Sequence, residues 1–269
     1  MWALVAGTRL FRSSDRGDTW VERTMPPAPG GNVEVSFADD TNGFVLIPGS
    51  AATQCQVQTV SLWKTANGAA SWQQITATGI ADGMCKSGLA SADATHAIFT
   101  AWSPNAAPLI YRTADGGQTW KASTPLPDPP GFTTQGAGAT LRPGRPRAFG
   151  PTVLVDAVGG GQGTRYVFGS TDDGATFTYA STGPIADAPV AFVTAARWLQ
   201  IGPPGSSRET TDLGATWHAY TTDYSQAAPV APEIVFGNST VGYATVRGGI
   251  QRTTDGGAHW TAIKTPGTV

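Results

Sequence analysis

The chain has 269 residues, of which 40% are hydrophobic and only 13% charged, and its formal net charge is −2. It can therefore bury a large core, and its charge does not favour nucleic acid or an anionic membrane as a partner. No stretch approaches the roughly 18 apolar residues of a membrane span. The 34 glycines and 20 prolines indicate many short strands joined by turns, and no helical periodicity persists over three turns.

At the start of the chain, Met1–Ala6 has no basic region, and its apolar run is too short for a signal peptide. The low Lys and Glu content, with many Thr, Ser and Gly, favours an extracytoplasmic or secreted protein. Neither Cys55 and Cys85 nor His96, His218 and His259 have metal-ligand spacing, and Gly159–Gly163 is typical of a hairpin turn rather than a phosphate loop. We therefore expect no metal and no cofactor.

One eight-residue pattern recurs six times: Ser or Thr, any residue, Asp or Asn, any residue, Gly, any residue, Ser or Thr, then Trp or Phe. The second copy has Ala69 in place of Gly, and the sixth has His259 at the second hydroxyl position. The closing aromatic residues are 40 to 57 residues apart, which brackets the length of a four-stranded propeller blade. The six copies are Ser13–Trp20, Thr65–Trp72, Thr113–Trp120, Ser170–Phe177, Thr210–Trp217 and Thr253–Trp260.

Short apolar strands flank each copy, so the pattern predicts a hairpin loop. The carboxylate or amide accepts hydrogen bonds from loop N–H groups, the Gly permits a positive φ, and the aromatic ring is buried against a strand. We assign a structural role to the acidic or amide residues Asp15, Asn67, Asp115, Asp172, Asp212 and Asp255, and to the aromatic residues Trp20, Trp72, Trp120, Phe177, Trp217 and Trp260.

The sequence predicts an all-β fold, a six-bladed propeller of four-stranded antiparallel blades in a single domain over 1–269. The segments Phe37–Phe44 and Phe236–Tyr243 share a second pattern, an inner hairpin that precedes the loop of the same blade. The fourth repeat matches the common strand pattern only if an insertion is allowed. The predicted repeats are roughly 1–24, 33–77, 86–124, 137–181, 188–221 and 231–265.

The eight-residue pattern resembles the Asp-box, or BNR repeat, of bacterial sialidases and related propellers. The longer form, with Gly-Tyr at 242–243 before Thr-Thr-Asp-Gly-Gly, is similar to propellers of the photosystem II assembly and stability factor type. The resemblance covers nearly the whole chain. It implies that the repeated loops lie on the face away from the ligand site, and it leaves function open between glycosidases, receptors and assembly factors.

The two ends of the chain should meet when the ring closes. Blade one contains only three predicted strands, Trp2–Ala6, Leu10–Arg12 and Trp20–Arg23, so its inner strand should come from the C-terminus. Nine residues follow Trp260, and the outer strand of blade six uses most of them. We therefore expect the chain to be part of a longer protein.

The resemblance to sialidases raises the alternative of a glycoside hydrolase. Sialidases need an arginine triad, a Tyr/Glu pair and an acidic residue, and an Arg-Ile-Pro segment typical of them does not occur here. Other two-carboxylate chemistry stays open. Its candidates, on loops opposite the repeats, are Asp82, Asp128, Asp187, Asp223 and Glu233.

The longest irregular stretch, Thr124–Pro151, contains Arg142, Arg145 and Arg147. We predict that these arginines project from the face opposite the repeated loops and bind an acidic group, with solvated charges as the alternative. Trp102 and Tyr224 are candidate stacking surfaces for sugar or peptide, and Trp198 is a weaker one that burial would explain equally well.

Cys55 and Cys85 lie on connections that should emerge on the same face, so they can form a disulfide; two buried thiols are the alternative. The favoured interpretation is a monomeric, non-catalytic binding or assembly module that recognises a protein or carbohydrate through the face opposite the repeated loops. The alternative is a hydrolase of sialidase-like ancestry.

Overall fold

A computed structural model of the protein describes residues 1–27, 32–104, 106–134, 139–160, 162–224, 232–246 and 248–267. In these residues the chain forms 24 strands and one 3-10 helix, Thr53–Cys55, arranged as six antiparallel sheets in chain order. None of the described segments is a helix that could cross a membrane. The predicted six-bladed all-β propeller is confirmed.

Strands are numbered in chain order, and each sheet is one blade. Blades one to three contain β1 (Trp2–Val5), β2 (Arg9–Arg12), β3 (Val21–Arg23); β4 (Glu34–Phe37), β5 (Gly43–Pro48), β6 (Val60–Thr65), β7 (Gln73–Ile75); and β8 (Cys85–Ser91), β9 (Ala97–Ser103), β10 (Ala106–Thr113), β11 (Lys121–Ala122). Blade four contains β12 (Leu141–Pro143), β13 (Arg147–Phe149), β14 (Thr152–Gly159), β15 (Thr164–Ser170), β16 (Thr178–Gly183). Blades five and six contain β17 (Ala191–Phe192), β18 (Trp198–Gln200), β19 (Arg208–Thr210), β20 (His218–Ala219); and β21 (Glu233–Phe236), β22 (Gly242–Val246), β23 (Gly249–Thr253), β24 (Thr261–Ile263).

Strands within a blade are paired in sequence order, so the connections alternate between the two faces of the ring. Each repeated loop precedes the outermost strand of its blade, which is the fourth strand of a four-stranded blade and the third strand of blade one. In the four-stranded blades these loops lie on the same side as the turns between the first and second strands. We call this side the repeat-loop face. The connections between second and third strands, and the crossings between blades, lie on the opposite face.

The core lies between blades, because each sheet packs against its two neighbours. The second strand of a blade is covered on both sides, so β5 is buried along almost its whole length. The loop aromatics contribute to the interfaces: Trp120 packs with Phe44 and Phe99 between blades two and three, and Trp260 packs with Phe236 between blades five and six.

Blade one has three strands, as predicted, and in the described part of the chain β1 pairs only with β2. The ring nevertheless closes through the loop of blade one. Trp20 Nε1 donates a hydrogen bond to the carbonyl of Lys264 at 2.9 Å, and Arg252 Nη1 donates to the carbonyl of Arg16 at 3.0 Å. No described C-terminal strand pairs with β1.

Blade four departs from the prediction. The segment expected to project as a loop is instead the inner strand, in two pieces, because β12 and β13 both pair with β14. The break coincides with Gly144–Pro146, and a strand at the edge of a sheet tolerates proline because its outward N–H needs no partner. The residues 135–138 of the predicted excursion lie outside the described part.

Candidate functional site

The six repeated loops share one set of hydrogen bonds. In the loop of blade three, Asp115 Oδ1 accepts from the Thr113 hydroxyl at 2.8 Å and from the N–H groups of Gln118 and Thr119 at 3.0 and 2.9 Å. Gly117 N–H donates to the Thr113 hydroxyl at 3.1 Å. The Thr119 hydroxyl also donates to Asp115 Oδ2 at 2.5 Å. This bond and the Thr119 N–H stabilise the ionised carboxylate most, and with the bonds from Thr113 and Gln118 they lower the pKa of Asp115 to about 2. The carboxylate therefore organises its own loop.

The two variant loops keep this arrangement. Asn67 accepts the N–H of Ser71 through Oδ1 at 3.1 Å and donates from Nδ2 to the Ser71 hydroxyl at 2.8 Å. Ala69, which replaces the glycine, has a φ of 60°. In the sixth loop, His259 Nδ1 contacts Asp255 Oδ2, and this carboxylate raises the pKa of His259.

The tryptophans attach the loops to the ring in two ways. Trp72 donates its Nε1 hydrogen to the carbonyl of Thr24 in the crossing from blade one, while Trp120 donates to Gly117 in its own loop. Trp217 donates to the Ser181 hydroxyl of blade four. Phe177 is buried but has no donor. These contacts indicate a structural function for the aromatic residues of the repeated loops.

A disulfide joins Cys55 and Cys85 on the opposite face, with their Cα atoms 4.9 Å apart. Cys55 ends the 3-10 helix between β5 and β6, and Cys85 is the first residue of β8 rather than part of the crossing before it. Beside it, Lys86 is buried and its Nζ donates to the carbonyls of Gln58 and Gly83, at 2.5 and 2.7 Å. Burial lowers the pKa of Lys86.

Two predicted binding residues are brought together on this face. Cys85 is opposite Trp102 in the β8–β9 pair, and the guanidinium of Arg142 lies 4.4 Å from the centre of a Trp102 ring. Arg142 and Arg145 are exposed, and no described carboxylate forms an ion pair with either. Arg145 follows Arg142 by three residues, in the break between β12 and β13. We call the Arg142–Trp102 pair together with Arg145 the Arg–Trp patch.

The other two predicted binding residues do not belong to this patch. Arg147 Nη2 donates to the carbonyl of Phe236, which connects blade four to blade six, and burial lowers the pKa of Arg147. Tyr224 is buried and packs edge-on against Trp260, with ring centres 5.4 Å apart. Both were wrongly predicted to be exposed. Trp198, the weaker candidate, is also fully buried.

Two of the candidate catalytic carboxylates are engaged in local structure. Asp128 accepts from the N–H and hydroxyl of Thr134, and Asp223 accepts the N–H of Trp260 at 2.8 Å. The side chains of Asp82, Asp187 and Glu233 form no hydrogen bond or ion pair with a described residue. Across the described residues, no cluster of His, Cys, Asp and Glu has the composition of a metal site.

Sequence reasoning missed Asp156. It is buried in β14, and its Oδ2 accepts from Arg165 Nη1 at 3.3 Å and from the N–H of Val190 at 3.2 Å. Desolvation raises its pKa, against the lowering effect of Arg165. An acidic residue inside the apolar run 153–158 was the signal that could have identified it. Asp156 connects blade four to the crossing into blade five.

Two solved structures align with nearly the whole of this chain. The structure of YCF48 bound to a D1 peptide aligns with 97% of this chain and 77% of its own, with a TM-score of 0.51 and 18% identity. The Hadza microbial sialidase Hz136 aligns with 97% of this chain and 60% of its own, with a TM-score of 0.56 and 15% identity. The chain has the fold of the sialidase-like propellers.

Sequence comparison adds one curated relative. A xyloglucanase from Paenibacillus sp. is 29% identical in an alignment of 139 residues that covers 42% of this chain. The chain spans 13% of that protein's length. No family model matches the sequence. The neighbours include both glycoside hydrolases and a peptide-bound protein, so the shared fold is compatible with either function.

Proposed function

We propose that this propeller is a non-catalytic binding module that recognises a protein or carbohydrate ligand through the Arg–Trp patch. The observation that carries the proposal is the stacking of Arg142 on Trp102 on the opposite face. Two exposed guanidinium groups that have no carboxylate partner among the described residues suit a ligand that carries carboxylate or phosphate groups. The indole ring adds an apolar surface beside them.

Contacts elsewhere support this interpretation. Asp128 and Asp223 are occupied by hydrogen bonds that stabilise turns and crossings, so they are poor candidates for a hydrolytic pair. YCF48, whose structure resembles this chain, was solved with a bound peptide. The disulfide also supports our proposal that the protein functions outside the cytoplasm, where such bonds persist.

The proposal can be tested with the double variant Arg142→Ala/Arg145→Ala on arrays of synthetic peptides and glycans. We expect the wild type to bind acidic ligands, and the variant to bind at least about tenfold more weakly with an unchanged melting temperature, because exposed charges contribute little to stability. Binding should weaken as salt rises. The matched control is Arg16→Ala/Lys264→Ala, which removes the same charge from two exposed positions outside both the Arg–Trp patch and the neighbouring clefts. Unchanged binding by the arginine variant would refute the proposal.

The xyloglucanase relative favours glycoside hydrolysis as the second candidate. Hydrolysis needs two carboxyl groups about 5–9 Å apart across the bound sugar. The corresponding assay measures reducing sugar released from xyloglucan by the purified protein. We expect no release above the buffer rate; sustained turnover would establish the enzyme instead.

A further inference from the structure

Basic residues connect neighbouring blades at the repeat-loop face. Arg12, Lys64, Arg112 and Arg252 each stand immediately before the first hydroxyl residue of a repeated loop. Arg12 Nη2 forms an ion pair with Asp40 of blade two at 2.9 Å. In blade five Glu209 occupies this position. Arg197, which lies just before β18, contacts the next blade instead. The Nη2 group of Arg197 donates to the carbonyl of Gly256 at 2.9 Å.

Lys64 and Arg112 differ from Arg12 and Arg252, because neither side chain forms a hydrogen bond or ion pair with any residue that the structure describes. The Nε of Arg112 is also buried. Arg12 and Arg197 bind Asp40 and Ser239, which belong to the turn between the first and second strands of the next blade. Arg112 lies beside the corresponding turn of blade four. Blade four has a shorter turn there than the other blades.

That turn has five residues in blades two, three, five and six, but only Gly150 and Pro151 separate β13 from β14. The three missing residues leave a cleft of about 540 Å³ between blades three and four. Its volume is within the range of ligand sites. Ile98, Ala148 and Val153 contribute apolar surface to its wall.

The charged groups around the cleft differ in whether they already have a hydrogen-bond or ion-pair partner. Asp93 and Asp115 also line it, but their oxygens accept hydrogen bonds from their own loops. Arg112 and Lys121 have no described ion-pair partner, and Asp173 is exposed at the edge. An incoming group with one carboxylate and several hydrogen-bonding backbone groups would complement this arrangement.

We propose that the cleft binds an acidic turn of a partner protein, whose carboxylate pairs with Arg112 as Asp40 pairs with Arg12. A peptide turn is the favoured ligand because the molecule places such a turn against a basic residue at two other blade interfaces, against Arg12 in one and Arg197 in the other. This site is separate from the Arg–Trp patch, so the protein would have one contact on each face.

The probe for the first test is the acetylated and amidated hexapeptide Ala38–Gly43, titrated into the full chain and followed by NMR. We expect shifts of the Ile98 and Val153 resonances with millimolar affinity, and at least about tenfold weaker binding by the Arg112→Gln variant or by a peptide with Asp40→Asn. Arg112→Gln should keep the wild-type melting temperature because no described partner is lost. The control Arg12→Gln should bind the peptide normally but melt at a lower temperature.

A second variant replaces Gly150–Pro151 with the five residues 38–42 of blade two. We expect the added turn to pair with Arg112, raise the melting temperature and abolish peptide binding. The proposal is overturned if millimolar peptide leaves these resonances unshifted, or if Arg112→Gln binds as well as the wild type. Preferential binding of galacturonic acid in the cleft would also overturn it, since the ligand would then be a sugar acid.

Discussion

At the scale of single residues, one carboxylate replaces several backbone partners. Asp115 accepts from two N–H groups and two hydroxyls within a loop that no strand covers. Asn67 shows that an amide of the same shape can do this when its Nδ2 donates to the hydroxyl that otherwise donates to a carboxylate. The shape of the group therefore matters more than its charge.

This comparison predicts different effects of Asp115→Ala and Asp115→Asn. The alanine variant leaves loop N–H groups without an acceptor and should lose about 1–3 kcal/mol of unfolding free energy, while the asparagine variant loses less. Denaturant unfolding measures both. Glu233→Ala, at an exposed position without a side-chain partner among the described residues, is the control and should be neutral.

The same pair gives a pH test. The folded pKa of Asp115, about 2, is below its unfolded value of about 3.9, so its contribution is fully present above the unfolded pKa. The contribution is lost as pH falls through the folded value. The stability of the wild type should therefore approach that of Asp115→Asn between about pH 4 and pH 2. A constant difference over this interval would contradict the assignment.

The roles of loop residues could be predicted because their partners lie within four positions along the chain. Arg147 and Tyr224 could not be placed this way. The partner of Arg147 is the carbonyl of Phe236, 89 residues away, and Tyr224 is buried by the Trp260 of the next blade. Burial that arises between blades leaves no short-range pattern in the sequence.

At the scale of elements, the basic residue that precedes a repeated loop contacts the next blade at more than one interface. Arg252 Nη1 reaches the carbonyl of Arg16 and Asp18 Oδ1, both at 3.0 Å, so blade six contacts blade one through the same basic position that connects blade one to blade two. Ring closure thus uses the ordinary interface between neighbours.

We predict that Arg252→Gln weakens this closure by about 1–2 kcal/mol, because a carbonyl acceptor and a carboxylate lose a charged donor. Asp18→Asn should cost less, since the side chain of Asp18 is largely exposed and the pair is screened. Thermal unfolding gives the ranking, and hydrogen exchange of the β2 amides locates the change. Equal effects of the two variants would show that the carbonyl contact is unimportant.

Strand positions were predictable to within one or two residues where the repeat was regular. In blade one, the expected strands Trp2–Ala6, Leu10–Arg12 and Trp20–Arg23 are observed as Trp2–Val5, Arg9–Arg12 and Val21–Arg23. The prediction for blade four was wrong because Pro143, Gly144 and Pro146 have the composition of a loop, although the flanking residues still pair with β14. The short turn Gly150–Pro151 could not be predicted for the same reason, because β13 before it was interpreted as part of a loop.

At the scale of the whole molecule, the disulfide is the covalent link between blades two and three. It closes a segment with a sequence separation of 30, for which chain entropy predicts about 3–4 kcal/mol of stabilisation. We expect Cys55→Ser/Cys85→Ser to lower the melting temperature while the strand signal in circular dichroism persists at low temperature. Reductant should lower the wild type to the same value and leave the variant unaffected. Equal melting temperatures without reductant would contradict this prediction.

The outer rim of the ring has a consequence for behaviour at high concentration. Five of the six outermost strands in the described chain have only two or three residues, and β16 has six. A short edge offers few free backbone groups to a strand from another molecule, and long flat edges are where sheets aggregate. Most of the circumference is therefore poorly suited to edge-to-edge self-association. Blade four, with its long outer strand, is where such association would begin.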